Sequence, residues 1–285
     1  MVIVKMIGGL GNQMFQYAYA KALHVRGYDI RLDSTFMQPN LAHGGFGLHV
    51  YSIDLEVDSN ENLKALSSNG LLCKIFNRFN IPTKCYLKEK TFLFTPSLIK
   101  PQENVFIEGY FQTERYFKDI RELLLEQFQP RESLSDYSQK IKHSIESASC
   151  AISLHVRRGD YLKASAQSYH GLCSHEYYQK AMQYLKEYCQ DITYVVFSDD
   201  IAWVKENMPI ENALYVYNEG QAPHEDMYLM SLCQHNIIAN SSFSWWGAWL
   251  NQNPNKIVIA PKQWFANAKM QAQSMDIAPN SWIRL

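Results

Sequence analysis

Between residues 151 and 260 the sequence changes its period again and again. AISLHV (151–156), ITYVVFS (192–198), ALYVY (213–217), NIIAN (236–240) and KIVIA (256–260) are short, apolar and rich in β-branched and aromatic residues, as strands are. The stretches between them, 175–189, 201–207, 224–234 and 244–251, carry apolar residues at helical spacing. Strands that alternate with helices form a parallel sheet covered on both faces, because each parallel crossover needs a helix to return the chain. The first third opens in the same way. Residues 2–7 predict a strand, GGLGNQ (8–13) a turn, and 14–27 a helix with Phe15, Ala18, Ala22 and Val25 at helical spacing and Gly27 as its stop. YDIRLD (28–33) predicts the next strand.

The periodicity is irregular from about 40 to 100 and resumes with a strand through Val105, Phe106 and Ile107 and a helix carrying Ile120, Leu123, Leu124 and Phe128. The polar run QPRESLSD (129–136) precedes a surface helix reaching about Ala148, which sets the expected boundary between a domain of residues 1–148 and one of 149–285. With 285 residues and 47% apolar content, each half can bury its own core. The fold class expected is α/β, two units each built on a parallel sheet.

Charge narrows the function. The net charge is -1, with 17 basic and 16 acidic residues in 1–150 and 10 basic and 12 acidic in 151–285. Neither half has the basic excess that a polyanion demands, so nucleic acid is not expected as a partner. The six cysteines are scattered without a CxxC pair or a Cys/His spacing suited to zinc, and free thiols fit a reducing cytoplasm. The N-terminal apolar run, broken by Lys5, lacks the core of a signal peptide, and no stretch approaches the roughly 18 to 20 apolar residues of a membrane span. A cytoplasmic protein, at most peripheral at a membrane, is the expectation.

In parallel sheets ligands sit beyond the carboxyl ends of the strands. Polar residues collect there in GGLGNQ, in HVRRGDY (155–161), in SDD (198–200), in HEDM (224–227) and in NSSFSWW (240–246). A guanidinium cannot shed its charge, so Arg157 and Arg158 at a strand end must meet water, carboxylates or an anion, and phosphate fits their fork. Alternation puts His155 and Arg157 on one face and Val156 and Arg158 on the other, so one arginine enters a given cleft. The plainer alternative is a solvated rim on which both pair with carboxylates such as Asp160. Ser241, Ser242 and Ser244, flanking Phe243, open a helix whose free N–H groups favour an anion, although a single N-cap serine needs no ligand. Of Asp199 and Asp200, one is expected to cap the helix at 201. Gly9 and Gly11 begin a dinucleotide fingerprint, with Asp33 placed as its ribose acid, but Met14 stands where the third glycine belongs. A nicotinamide oxidoreductase is therefore the runner-up, and Asn12 and Gln13 read instead as amides aimed into the cleft.

Taken in order, GGLGNQMFQYA, HVRRGDY, FSDD and IIANSSFSWWGAWL resemble the α-1,2-fucosyltransferase family, particularly its bacterial members, from residue 8 to residue 250. The resemblance implies a GT-B architecture of two Rossmann-like domains facing across a cleft. It implies GDP-fucose as donor, a galactose-terminated glycan as acceptor, inversion at the sugar, no metal or other cofactor, and a place in the synthesis of lipopolysaccharide O-antigen. By match to the motif, His155 and Arg157 lie on the phosphate side and Arg158 orients its loop through Asp160. Asp160 is the candidate base, with a purely structural pairing to Arg158 as its alternative. Asp199, Asp200 or Glu225 would read guanine, and Ser241, Ser242, Phe243 and Ser244 would meet the diphosphate. Gly9, Asn12 and Gln13 complete the candidate binding residues, with Asn12 and Gln13 joining Tyr110, Gln112 and the AHGGFGLH loop on the acceptor side. A non-catalytic nucleotide-sugar or glycan-binding module would present the same phosphate residues.

Overall fold

The β-branched run Val2–Lys5 forms β1, and Gly8, at φ 81, turns the chain directly into helix α1 (Leu10–Val25). These are features of a computed structural model that describes residues 1–37, 45–58, 86–159, 171–217 and 222–285. The chain divides into two units, Met1–Gln129 and Pro130–Leu285. In the first, β1 is flanked by β2 (Ile30–Asp33) and β5 (Val105–Glu108), with β3 (Val57–Asp58) and β4 (Tyr86–Lys88) at the edges. All pairs are parallel, in the order β3-β2-β1-β5-β4. Helix α1 is buried almost all round: Met14, Phe15, Tyr17, Ala18, Tyr19 and Leu23 are inaccessible, which is why its apolar residues do not form a single stripe. A short helix, α2 (Arg121–Gln127), ends this unit.

The second unit runs α3 (Asp136–Ser147), β6 (Cys150–Val156), α4 (His175–Lys186), β7 (Ile192–Ser198), α5 (Ile201–Asn207), β8 (Ala213–Tyr215) and α6 (Pro223–Leu232). It continues through β9 (His235–Ile237), α7 (Ser242–Trp249), β10 (Val258–Ala260), α8 (Ala268–Gln271) and β11 (Ile283–Arg284). Its sheet is also parallel, in the order β11-β10-β9-β6-β7-β8. Strand β6 is central and buried along its whole length. Its even-numbered residues pack with Tyr177, Tyr178, Leu185 and Val204 of α4 and α5. On the other face Ala151, Val195 and Phe197 pack with Leu229 and Met230 of α6 and with Ile141 and Ile145 of α3.

That last contact moves the expected boundary. Helix α3, assigned from sequence to the end of the first domain, belongs to the second, and the division falls at 129/130 instead of 148. Its two buried isoleucines have their partners on β7 and α6, which no local signal in 136–147 discloses. The second correction is at the N-terminus, where the predicted turn 8–13 is mostly helix: Gly9 is the N-cap, and Asn12 and Gln13 lie in the first turns of α1.

Candidate active site

Strands β9, β6 and β7 are parallel neighbours, so the residues that follow them converge at the carboxyl end of the second sheet. After β6 come Arg157 and Arg158, and after β7 come Asp199 and Asp200. A guanidinium nitrogen of Arg157 lies 3.3 Å from the Asp199 carboxylate, and the backbone N–H of Arg158 donates to the same carboxylate at 2.9 Å. Gly159 belongs to this arrangement, since a Cβ there would stand 2.9 Å from Asp199 Oδ2. Asp199 thereby ties the end of β6 to the end of β7 and aims Arg157.

Arg158 diverges from Arg157, as strand alternation requires. Its guanidinium stacks 3.8 Å above the Trp203 ring of α5, with its Nε 3.5 Å from Asp200. Asp200 also accepts from the Trp203 N–H at 3.1 Å and is the helix cap that one of the two aspartates was expected to be. The pairing of Arg158 within the described residues is thus with Asp200 and Trp203. Asp160, expected as its partner and as the candidate base, lies outside the described residues.

His155 is 3% exposed and sits beneath Arg157 with its ring 5.7 Å from that of Phe243. Burial, reinforced by the neighbouring Arg157 charge and only partly opposed by Asp199, pushes its pKa down to about 3. It is a neutral imidazole throughout the physiological range, a support for Arg157 that adds no competing charge. Its backbone carbonyl is held by the Tyr178 hydroxyl at 3.1 Å.

The serine segment follows β9. Ser241 accepts from the Phe243 N–H at 3.3 Å as the N-cap of α7, and Ser244 is buried with its hydroxyl on the backbone of Ala239 and Ser241. These two are therefore structural, and Ser242 is half exposed in the first turn of α7. The N-terminus of α7 and the arginine pair belong to adjacent strands, an arrangement suited to an anion.

Glu225 does not join them. Its carboxylate accepts from the backbone N–H and the hydroxyl of Ser135 at 2.8 and 2.7 Å, which pins the start of α3 to α6. Burial alone would raise its pKa, but the bonds from Ser138 and Ser135 outweigh that and leave it lowered. A carboxylate committed to the N-cap of another helix cannot also read a base, so its expected role is withdrawn.

In the first unit the strand ends hold a braced set of amides. Gln13, 1% exposed, donates to the carbonyls of Gly8 and Gly45 and accepts from the Gly47 N–H at 2.8 Å. With these polar atoms engaged in the fold, Gln13 is a loop brace and not the cleft-facing amide expected from sequence. Asn12 is half buried and accepts from Gln112 at 2.7 Å, so these two predicted residues do meet. Asp33 is completely buried, with one oxygen on the Thr35 N–H, and cannot reach a ribose. Met14, where a dinucleotide site would have its third glycine, is buried in the core.

Two residues here were not anticipated. Gln16 bonds both backbone groups of Ile7 and the carbonyl of Gly109, joining the loops after β1 and β5. Glu89, just past β4, accepts the N–H groups of Tyr110 and Phe111 at 2.8 and 2.9 Å and holds Phe111 at φ 53. The only sequence trace of Gln16 is its position three residues after Gln13 on one helix.

The profile of glycosyl transferase family 11 matches residues 1–285, the whole chain. An alpha-1,2-colitosyltransferase of Escherichia coli is 34% identical over all of this chain and 98% of its own length. The O-antigen biosynthesis glycosyltransferase WbnK, also of Escherichia coli, is 32% identical over 98% of both chains. A galactoside alpha-(1,2)-fucosyltransferase 1 of Rattus norvegicus is 25% identical over 85% of this chain and 61% of its own. Among solved structures, Arabidopsis thaliana FUT1 in complex with GDP superposes with a TM-score of 0.53 at 13% identity, covering 98% of this chain and 74% of that one. A NodZ alpha-1,6-fucosyltransferase soaked with GDP-fucose gives a TM-score of 0.50 at 14% identity, covering 87% and 92%. The shared fold is α/β, as the alternation of strands and helices predicts, and of the GT-B class that the motif resemblance implies.

Proposed function

The chain belongs to glycosyl transferase family 11, and on that premise we propose that it moves L-fucose from GDP-fucose to the 2-hydroxyl of a terminal galactose, inverting the β-linked donor to an α-product. The observation that carries the reading is Arg157, aimed by Asp199 at the end of β6 beside the N-terminus of α7. As the sugar–phosphate bond breaks, negative charge gathers on the departing diphosphate and the sugar becomes oxocarbenium-like. Arg157 and the first-turn amides of α7 meet that charge without having to reorganise, which is the principal source of rate in such a site. The guanidinium takes the part that a divalent cation plays elsewhere, so transfer itself proceeds without metal or other cofactor. The acceptor hydroxyl attacks from the opposite face and passes its proton to a carboxylate, for which Asp160 is the candidate. His155, neutral under Arg157, is too weak a base for this step.

Guanine would be selected by carboxylates accepting its N1–H and amino hydrogens. Asp200 caps α5, Glu225 holds Ser135 at the N-cap of α3, and Asp199 is engaged by Arg157 and the Arg158 N–H, so of the three carboxylates Asp199 stays beside the phosphate arginine as its orienting partner and none is assigned to guanine. Colitose as the donor sugar is the second reading, favoured by the identity to the colitosyltransferase over the full length. Colitose is L-fucose without its 3-hydroxyl, so a site that hydrogen-bonds this hydroxyl discriminates strongly between the two. GDP release from GDP-fucose and from GDP-colitose, with and without β-galactoside acceptors and in EDTA, tests the proposal. Acceptor-dependent release from GDP-fucose that survives EDTA supports it, and a preference for GDP-colitose of a hundredfold or more transfers the assignment to the second reading. GDP binding by folded protein with no release across a galactoside panel would leave a binding module.

A further inference from the structure

At the other end of the second sheet, three side chains from distant parts of the sequence meet. Cys150 is the first residue of β6, His235 the first of β9, and Cys189 lies between α4 and β7. Register explains the meeting. Cys150 pairs with Ile192, and Ile152 pairs with both Tyr194 and His235, so Cys150, Tyr194 and His235 project from one face of the sheet. Cys189 is held at the margin of that face by its own N–H, which donates to the Leu185 carbonyl at 3.0 Å and closes the turn after α4. One ligand atom from each residue, two sulfurs and a ring nitrogen, lies within 4.8 Å of the others. Cys150 and His235 are buried and Cys189 is half buried.

We infer that Cys150, Cys189 and His235 form a binding site for a thiophilic transition-metal ion of the Zn²⁺ class, a structural clasp at the foot of the strands whose other ends carry the donor site.

Two thiolates and an imidazole are the donor set that a borderline-soft ion selects. A tetrahedral ion with metal–sulfur and metal–nitrogen bonds of about 2.3 and 2.0 Å wants its ligands roughly 3.5 to 3.8 Å apart, which a small inward rotation of these side chains supplies. Tyr194 provides an independent sign. It is 4% exposed, and its hydroxyl is buried without a hydrogen-bond partner among the described residues. Burial first, and then the thiols of Cys150 and Cys189, push that hydroxyl up to about 12. Three protein ligands leave a fourth position for water, and Tyr194 is a polar group on that face waiting for one.

A reactive thiol pair fits less well. Burial pushes the Cys150 thiol up to about 12, and a protonated buried thiol is a poor nucleophile for disulfide chemistry. A bound cation changes this balance, displacing both thiol protons to solvent as the two metal–sulfur bonds form. His235 Nδ1 now accepts the Ile257 N–H at 2.9 Å, and ligation through either ring nitrogen releases that bond. Ile257 is only half buried, so water can replace the lost partner against the gain of three metal–ligand bonds. Residues 150, 189 and 235 make no local spacing motif, which is why the sequence suggested no zinc site.

The test uses Co²⁺ and the whole chain stripped with a chelator, and none of its readouts depends on sugar transfer. Wild type is expected to bind one Co²⁺ per chain with a thiolate-to-cobalt charge-transfer band, to melt at higher temperature when loaded, and to lose reactivity of Cys189 toward iodoacetamide. Cys189→Ser and His235→Gln should each weaken binding at least tenfold, while Cys173→Ser should not. Protection of Cys189 in wild type keeps the test decisive if either variant folds poorly. Absence of a saturable band, a band of undiminished affinity in Cys189→Ser, or a Cys150–Cys189 disulfide formed in peroxide by protein that takes up no Co²⁺ would overturn the inference.

Discussion

Replacing Glu89 by glutamine isolates one buried charge and puts a number on it. The carboxyl follows β4, with one oxygen on the N–H groups of Tyr110 and Phe111 and the other buried with no partner among the described residues. Burial raises its pKa from 4.5 to about 7, against the two N–H bonds that pull it down. The folded chain therefore holds a proton that the unfolded chain gives up near 4.5. The stabilisation that depends on that proton is complete below about pH 4.5 and is lost as pH rises through about 7. At about 1.4 kcal/mol per pH unit, the shift corresponds to about 3 kcal/mol across this window. Glutamine keeps a carbonyl oxygen for the two N–H donors and has no charge to desolvate. Urea unfolding at several values between about pH 4.5 and pH 8, with amide exchange at Tyr110 and Phe111 as a local reporter, should show the stability of Glu89→Gln minus that of wild type growing by about 3 kcal/mol, because the opposing gain from His155 as pH rises toward 6.5 is common to both proteins. Glu89→Gln should be the more stable of the two at about pH 8. Parallel curves for the two proteins, or a glutamine variant that is weaker at every pH, would mean that Glu89 is ionised in the fold and that the argument from burial is wrong.

Arg157→Ala should lower transfer roughly a hundredfold or more, by analogy with lost oxyanion donors, when GDP release is followed with saturating acceptor; a loss under tenfold removes Arg157 from the reaction. Gln13→Ala breaks a buried three-way brace and should cost about 1–3 kcal/mol in urea unfolding while leaving GDP affinity within about twofold. Unchanged stability with transfer abolished would return Gln13 to the site. His155, held neutral down to about 3, should contribute no limb to the pH–rate profile between about pH 5 and 8. The profile of His155→Gln should keep the wild-type shape at lower amplitude, and a limb near pH 6.5 that vanishes in this variant would show that the imidazole titrates.

Where a residue's role follows from its own strand or helix, the sequence disclosed it. The alternation of apolar runs from 151 to 260 predicted β6, β7, β9 and β10 and the helices between them, and pleat alone separated Arg157 from Arg158. Capping was legible too, because Asp200 and Ser241 stand just ahead of their helices. What remained hidden was settled by partners far away in the chain. Glu225 has the look of a favourable charge in a first helical turn, yet its partner, Ser135, is 90 residues distant. Gln13 has the look of a cleft amide, and only the return of the chain at Gly45 and Gly47 shows it to be a brace. Trp203 carries nothing in its local pattern to mark it as the platform for Arg158, since that role depends on α5 lying beside the end of β6. Cys150, Cys189 and His235 are the extreme case, joined by the register of three strands and by no spacing.

The placement of β6 between β7 and β9 has a consequence for the order in which the site is assembled. Strands β6, β7 and β8 follow one another in sequence and can pair early, with loops of moderate length to close. The β6–β9 edge joins Ile152 to His235 and closes a far longer loop, so it is expected to form late. Arg157 and Asp199 come together with the first pairing, while the N-terminus of α7 arrives only with the second. During refolding, tight binding of GDP should therefore lag the burial of the β6–β7 core, making nucleotide affinity a reporter on the last edge of the sheet to close.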